Sequence, residues 1–202
     1  MGTMINCLHL LRNRSFAIYL LATAACLVGY LTTSVPILII CTKLFFLTVI
    51  PLGVLESSQA SFTSKWDIFG RSWGISSHFM VLSWYIIFIC VSLICAIIWI
   101  ILPFHETHEV HIVQNTDFLL LWVHLTCIAY LPIMYLLNPR KNAVGTVIFL
   151  AALGGTGLLN YFIFTLGVEG NLLLTVAVVA GLYVISATFS IIFDNIHRGR
   201  AT

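Results

Sequence analysis

The chain has 202 residues, of which 60% are apolar and 8% charged, and its mean hydropathy is +1.07. Ordinary globular proteins carry roughly 25% charged residues, so a water-soluble fold is excluded for want of polar surface; disorder is excluded because so much Leu, Ile, Val and Phe cannot stay solvated. A net charge of +2 is too weak for a nucleic-acid binder, which leaves an all-α, polytopic membrane protein forming one domain over residues 1–202.

A bilayer core ~30 Å thick asks for about 20 apolar residues per crossing helix. Runs of that kind cover residues 15–31, 35–55, 79–102, 118–137, 144–166 and 172–193, so six transmembrane helices are expected. The fourteen residues before them are too short and polar for a cleaved signal, which makes the first helix an uncleaved anchor. The first two runs are nearly continuous. Thr32-Thr33-Ser34 before Val35-Pro36 supplies their break, since Pro in a first turn starts a helix cleanly. The connection from 56 to 78 mixes Trp66, Phe69 and Trp73 with Lys65 and Arg71, a composition suited to the headgroup level. Pro103 and Asn138-Pro139 mark the ends of the third and fourth spans.

Basic residues test the count independently. Arg12, Arg14, Lys65, Arg71, Arg140, Lys141, Arg198 and Arg200 all fall on one side of a six-span bundle, and the ninth, Lys43, lies inside a helix. The alternate loops carry Glu106, Glu109, Asp117 and Glu169 with no Lys or Arg. The positive-inside rule then places both termini in the cytoplasm, where the glycosylation triplet Asn13-Arg14-Ser15 stays unmodified. This is an integral, multi-pass pattern, expected in an endomembrane or the plasma membrane. The six cysteines form no C-x-x-C pair, and five lie in apolar runs, where thiols act as small hydrophobes.

Polar groups within the spans carry the functional signal, because each costs free energy unless it is paired or faces water. Lys43 lies about 12 Å deep at the helical rise, either snorkelling to the near interface or facing a wet cavity. His124 and Asn160 lie about 9 Å below the outer ends of the fourth and fifth spans, with Ser92 and Thr126 able to reach the same layer. Either is also read as a plain interhelical hydrogen bond. In the outer loop between the third and fourth spans, His105, His108 and His111 are spaced by three. They are weak metal candidates, since the H-E-x-x-H template needs its second His four residues on; a solvated, pH-sensitive loop is the alternative. Gly154-Gly155-Thr156-Gly157, Ala180-Gly181 and Ser186-Ala187 are small residues that let a neighbouring helix or a membrane-protein partner approach closely. No cofactor is expected, because one intramembrane His without a facing second does not make a bis-His haem site. The expected partners are the lipid bilayer and, through those small-residue faces, other membrane proteins, with no nucleic acid.

Phe46-Leu47-Thr48 within the 43–50 stretch, the 117–132 segment containing His124 and Pro132, and Ile97-Ile98-Trp99 resemble segments of the androgen-induced-gene family of six-span membrane hydrolases. The resemblance implies Thr48 as nucleophile, His124 as base and esters of hydroxy fatty acids as substrates. It covers about a quarter of the chain and lacks the family's aromatic Pro-containing stretch after the fifth helix. By helical rise Thr48 sits about 20 Å and His124 about 9 Å from the outer face, farther apart than a nucleophile and its base can be. Three functions stay open: a lipid-ester hydrolase, a small-solute or ion pathway lined by Lys43, His124 and Asn160, and a non-catalytic subunit of a membrane complex.

Overall fold

A computed structural model describes residues 2–33, 36–63, 74–101, 116–137, 142–165 and 172–199, and no strand occurs among them. The helices are α1 (Gly2–Arg12), α2 (Arg14–Thr33), α3 (Pro36–Leu44), a π-helical turn (Phe45–Val49), α4 (Ile50–Thr63), α5 (Ser77–Ile101), α6 (Thr116–Leu137), α7 (Asn142–Thr165) and α8 (Leu172–Gly199). Among the described residues six segments are long and apolar enough to cross a bilayer: Arg14–Thr32, Ile37–Ala60, His78–Ile101, Thr116–Leu137, Ala143–Ile163 and Thr175–Ile196. The chain is a polytopic helical membrane protein. The basic connection around Lys65 and Arg71 and the His-rich loop with His105, His108 and His111 lie outside the described residues.

The leader expected only to be polar is helix α1. Its Asn6 and Leu10, one turn apart, are buried, and the Asn6 amide donates to the Met80 carbonyl at 3.2 Å and to the Ser83 hydroxyl of α5. Asn13 then separates α1 from α2. Its side-chain oxygen accepts the Ser15 N–H at 3.0 Å, capping α2, while its amide group donates to Ser57 of α4 at 2.7 Å. Gly53 lets α2 pass close to α4, because a Cβ there would lie 2.8 Å from the Tyr19 ring.

The core is formed where α4, α5 and α6 meet, around Val54, Leu55, Phe88, Val123, Tyr130 and Leu131. Helix α6 is flanked by α7 and α8. Side chains set the directions of these pairs. Asn160 meets Phe118, and Tyr130 meets Phe149, so α6 and α7 run antiparallel. His124 meets Tyr183, and Ile128 meets Ser186, so α6 and α8 run parallel. The outer faces of α7 and α8 present Leu158, Phe162, Val178 and Val184, as lipid-facing helices do.

Two prolines shape the interior. Pro51 cannot donate to the carbonyl one turn earlier, and its ring crowds that turn. The turn immediately before it is widened, with the Ile50 N–H reaching five residues back to the Phe45 carbonyl. Pro132, inside α6, likewise deprives the Ile128 carbonyl of a backbone donor. The Ser186 hydroxyl of α8 fills that vacancy at 2.8 Å, the device by which membrane helices tolerate proline.

Candidate functional site

Tyr85, Ser92 and Trp99 recur at seven-residue intervals on α5, close to two full turns, so they share one face about 10.5 Å apart. Each is the anchor of a polar contact, and the three contacts form a column along the inside of the bundle. At the end near Ile101, the Lys43 ammonium lies 5.5 Å from the centroid of the Trp99 ring, a cation–π contact on a buried lysine. The expected choice between snorkelling and a cavity thus has a definite geometry: the stem reaches from α3 to an aromatic near the end of α5.

In the middle layer His124 of α6 has a hydroxyl on each ring nitrogen. Its Nε2 is 3.3 Å from the Ser92 Oγ of α5, and its Nδ1 is 2.7 Å from the Tyr183 hydroxyl of α8. The rings of Phe88 and Tyr183 meet the imidazole edge to face, at centroid distances of 5.6 and 5.8 Å. The Cys127 thiol lies beside the same Tyr183 phenol. Ser92 is buried and lies nine residues from the end of α5, about 13.5 Å down. This places the group at hydrocarbon depth.

The lowest layer has a direction. The Ser186 proton is committed to the Ile128 carbonyl, so Ser186 accepts from the Tyr85 hydroxyl at 2.8 Å. With its single proton spent there, Tyr85 accepts from Ser190 at 2.7 Å. The chain runs from Ser190 through Tyr85 and Ser186 to a backbone carbonyl, where it stops.

The other residues marked from the sequence go elsewhere. Asn160 donates to the Phe118 carbonyl at 2.9 Å, while its buried Oδ1 has no partner. Thr126 pairs with Thr156 at 2.8 Å, and Trp122 donates to the Leu153 carbonyl at 3.0 Å. These three contacts tie α6 to α7, so the polar layer splits into one group on the α7 side and another around His124. Thr48 sits in the π turn, which packs on both α5 and α6. Its hydroxyl donates to the Leu44 carbonyl, whereas the hydrogen bonds of His124 go to Ser92 and Tyr183. Measured from Pro36 and Thr116, Thr48 lies about 18 Å and His124 about 12 Å down, a smaller offset than the sequence bounds gave.

Tyr183 and Tyr85 escaped the sequence reading. Tyr183, Ser186 and Ser190 at spacings of three and four put three hydroxyls on one face of α8, the signal that finds them. No group of three or more His, Cys, Asp or Glu side chains suited to a metal ion occurs among the described residues. Comparison of the chain with models of known families, with characterised proteins and with solved structures returns no match.

Proposed function

We propose that the chain is an intramembrane hydrolase of lipid esters with His124 as general base. The observation that carries this reading is the imidazole itself, held at hydrocarbon depth with Ser92 on one nitrogen and Tyr183 on the other. An ionisable side chain at such a depth is a functional site by default. A base flanked by a hydroxyl nucleophile and an orienting group is the arrangement of acyl transfer. The resemblance of the 46–48 and 117–132 segments points the same way, to esters of hydroxy fatty acids, whose scissile bond lies among the acyl chains. Helix α6 packs more extensively on α7 and α8 than on α5, and Ser92 and His124 bridge α5 to α6. Two hydroxyls on elements facing α6 are candidate nucleophiles, Thr48 and Ser92.

The test is cleavage of long-chain esters of hydroxy fatty acids by the purified protein in micelles. His124→Gln is expected to lower the rate about 10²- to 10⁴-fold, the usual contribution of a general base, with the helical spectrum unchanged. A wild-type protein that cleaves none of the esters and reacts with no fluorophosphonate overturns the reading.

One observation favours a second reading. Among the described residues, Gly154, Gly155 and Gly181 have nothing within 4 Å of where a Cβ would stand, so packing there gives no reason for glycine. A partner helix of a larger complex supplies one. Co-purification of a membrane protein in fixed stoichiometry, lost in Gly155→Leu, supports that role. The solute-pathway reading has less behind it, since the lower hydroxyl chain ends on the Ile128 carbonyl.

A further inference from the structure

We infer that Ser92 is the nucleophile that His124 activates, with Tyr183 holding the imidazole in its working tautomer. This rests on the hydrolase reading above. Hydroxyls inside these helices mostly donate to a carbonyl three or four residues back, as Thr42, Thr48, Ser57, Ser83 and Thr126 do. Ser92 makes no such bond. Among the described residues its one hydrogen bond is to His124 Nε2, and it is 1% exposed.

That arrangement fixes the protons. A buried hydroxyl whose proton points at nothing is costly, so Ser92 donates and Nε2 is bare. Nδ1 therefore carries the ring proton and donates to the Tyr183 oxygen at 2.7 Å. A nucleophile's base needs this tautomer, and here a phenol oxygen rather than a carboxylate accepts the ring proton that defines it. Thr48 lacks both features: its proton is held by Leu44, and it makes no hydrogen bond to the imidazole.

The chemistry closes with water as the only co-reactant. Ser92 Oγ bonds to the ester carbonyl carbon as its proton moves to Nε2 and the carbonyl electron pair moves to oxygen. Collapse breaks the bond to the alkoxy oxygen, which takes the proton from Nε2 and leaves as the alcohol. Water, deprotonated by Nε2, then attacks the acyl-Ser92 carbonyl. The Ser92 oxygen leaves with that proton and the fatty acid is released.

The deciding experiment is peptide mapping of the wild-type protein in micelles after reaction with a long-chain alkyl fluorophosphonate. The adduct is expected on Ser92, and it should be absent from His124→Gln. Ser92→Ala should abolish labelling and lower ester cleavage about 10³-fold or more. An adduct on Thr48, or labelling that survives Ser92→Ala, overturns the assignment and leaves the hydrolase reading standing. Absence of both labelling and turnover in the wild type overturns the hydrolase reading and this assignment with it. For Tyr183→Phe, kcat should fall 10-fold or more with KM within twofold. A raised KM with kcat intact overturns the positioning role.

Discussion

Replacing Ser186 by Ala removes one hydroxyl and strands two groups unequally. Tyr85 retains Ser190, but the Ile128 carbonyl is left with no donor, because residue 132 is proline. An interhelical hydrogen bond within a membrane is worth about 0.6 kcal/mol on average and up to about 1.7. Orphaning a buried acceptor costs about 1–3 kcal/mol, so a loss near 2 kcal/mol is expected. The cause can be separated from simple side-chain loss. Pro132→Ala restores an N–H to the Ile128 carbonyl, and in that background Ser186→Ala should cost about 1 kcal/mol less, within the coupling range of residues that share a partner. Reversible unfolding of the four variants in mixed micelles of rising SDS fraction measures the cycle. Equal losses in both backgrounds refute the account, since the hydroxyl would then not be standing in for the missing amide.

Other outcomes follow from single contacts. Gly53→Ala sets a methyl 2.8 Å from the Tyr19 ring and 3.2 Å from Phe16, so it should cost about 1–3 kcal/mol by overpacking, whereas Gly154→Ala meets nothing and should be neutral or better in the same unfolding assay. Tyr19→Phe removes the hydroxyl 2.6 Å from the Glu56 carboxylate and should lower stability by about 1–3 kcal/mol, the cost of leaving a partly buried charged acceptor short of a donor. His9 of α1 is held below its ordinary value of 6.5, first by burial and then by Arg12. The undocked helix therefore binds more protons than the docked one, and docking weakens as pH falls through 6.5 toward the lowered value. Protection factors across residues 2–12, with exchange rates corrected for their intrinsic pH dependence, should fall on acidification in the wild type, and His9→Phe should flatten that dependence.

Crossing helices were legible because the bilayer imposes a length and an apolar requirement that any short window of sequence displays. Residues 118–137 and 172–193 fall within helices α6 and α8 for that reason. Helix α1 was not legible. Its buried stripe is Asn6 with Leu10, and an asparagine reads as polar leader until α5 supplies its partners. At the site, His124 and Ser92 stood out as polar groups in apolar runs, but depth alone grouped them with Asn160 and Thr126. Depth ignores angle around the helix, and angle is what sends those two toward α7. Tyr183 was overlooked because tyrosine is grouped with the hydrophobic residues, although its hydroxyl makes the shorter of the two bonds on His124. Pro51 and Pro132 were visible throughout. Their consequences, a widened turn at Phe45–Val49 and a serine recruited from α8, depend on which carbonyl each proline leaves without a donor.

The parallel pairing of α6 with α8 also bears on how the protein is made. His124, the Ile128 carbonyl and Tyr85 draw their partners Tyr183, Ser186 and Ser190 from the helix that emerges after all of theirs. At 5–20 residues per second, translation from His124 to Tyr183 takes about 3–12 s. For that interval the Ile128 carbonyl lacks its Ser186 donor and His124 lacks the Tyr183 hydroxyl, and polar groups left unsatisfied in hydrocarbon are costly. Arrival of α8 ends that exposure in one docking event. Nascent chains arrested before residue 172 should therefore stay associated with the insertion machinery, and chains released there should be short-lived.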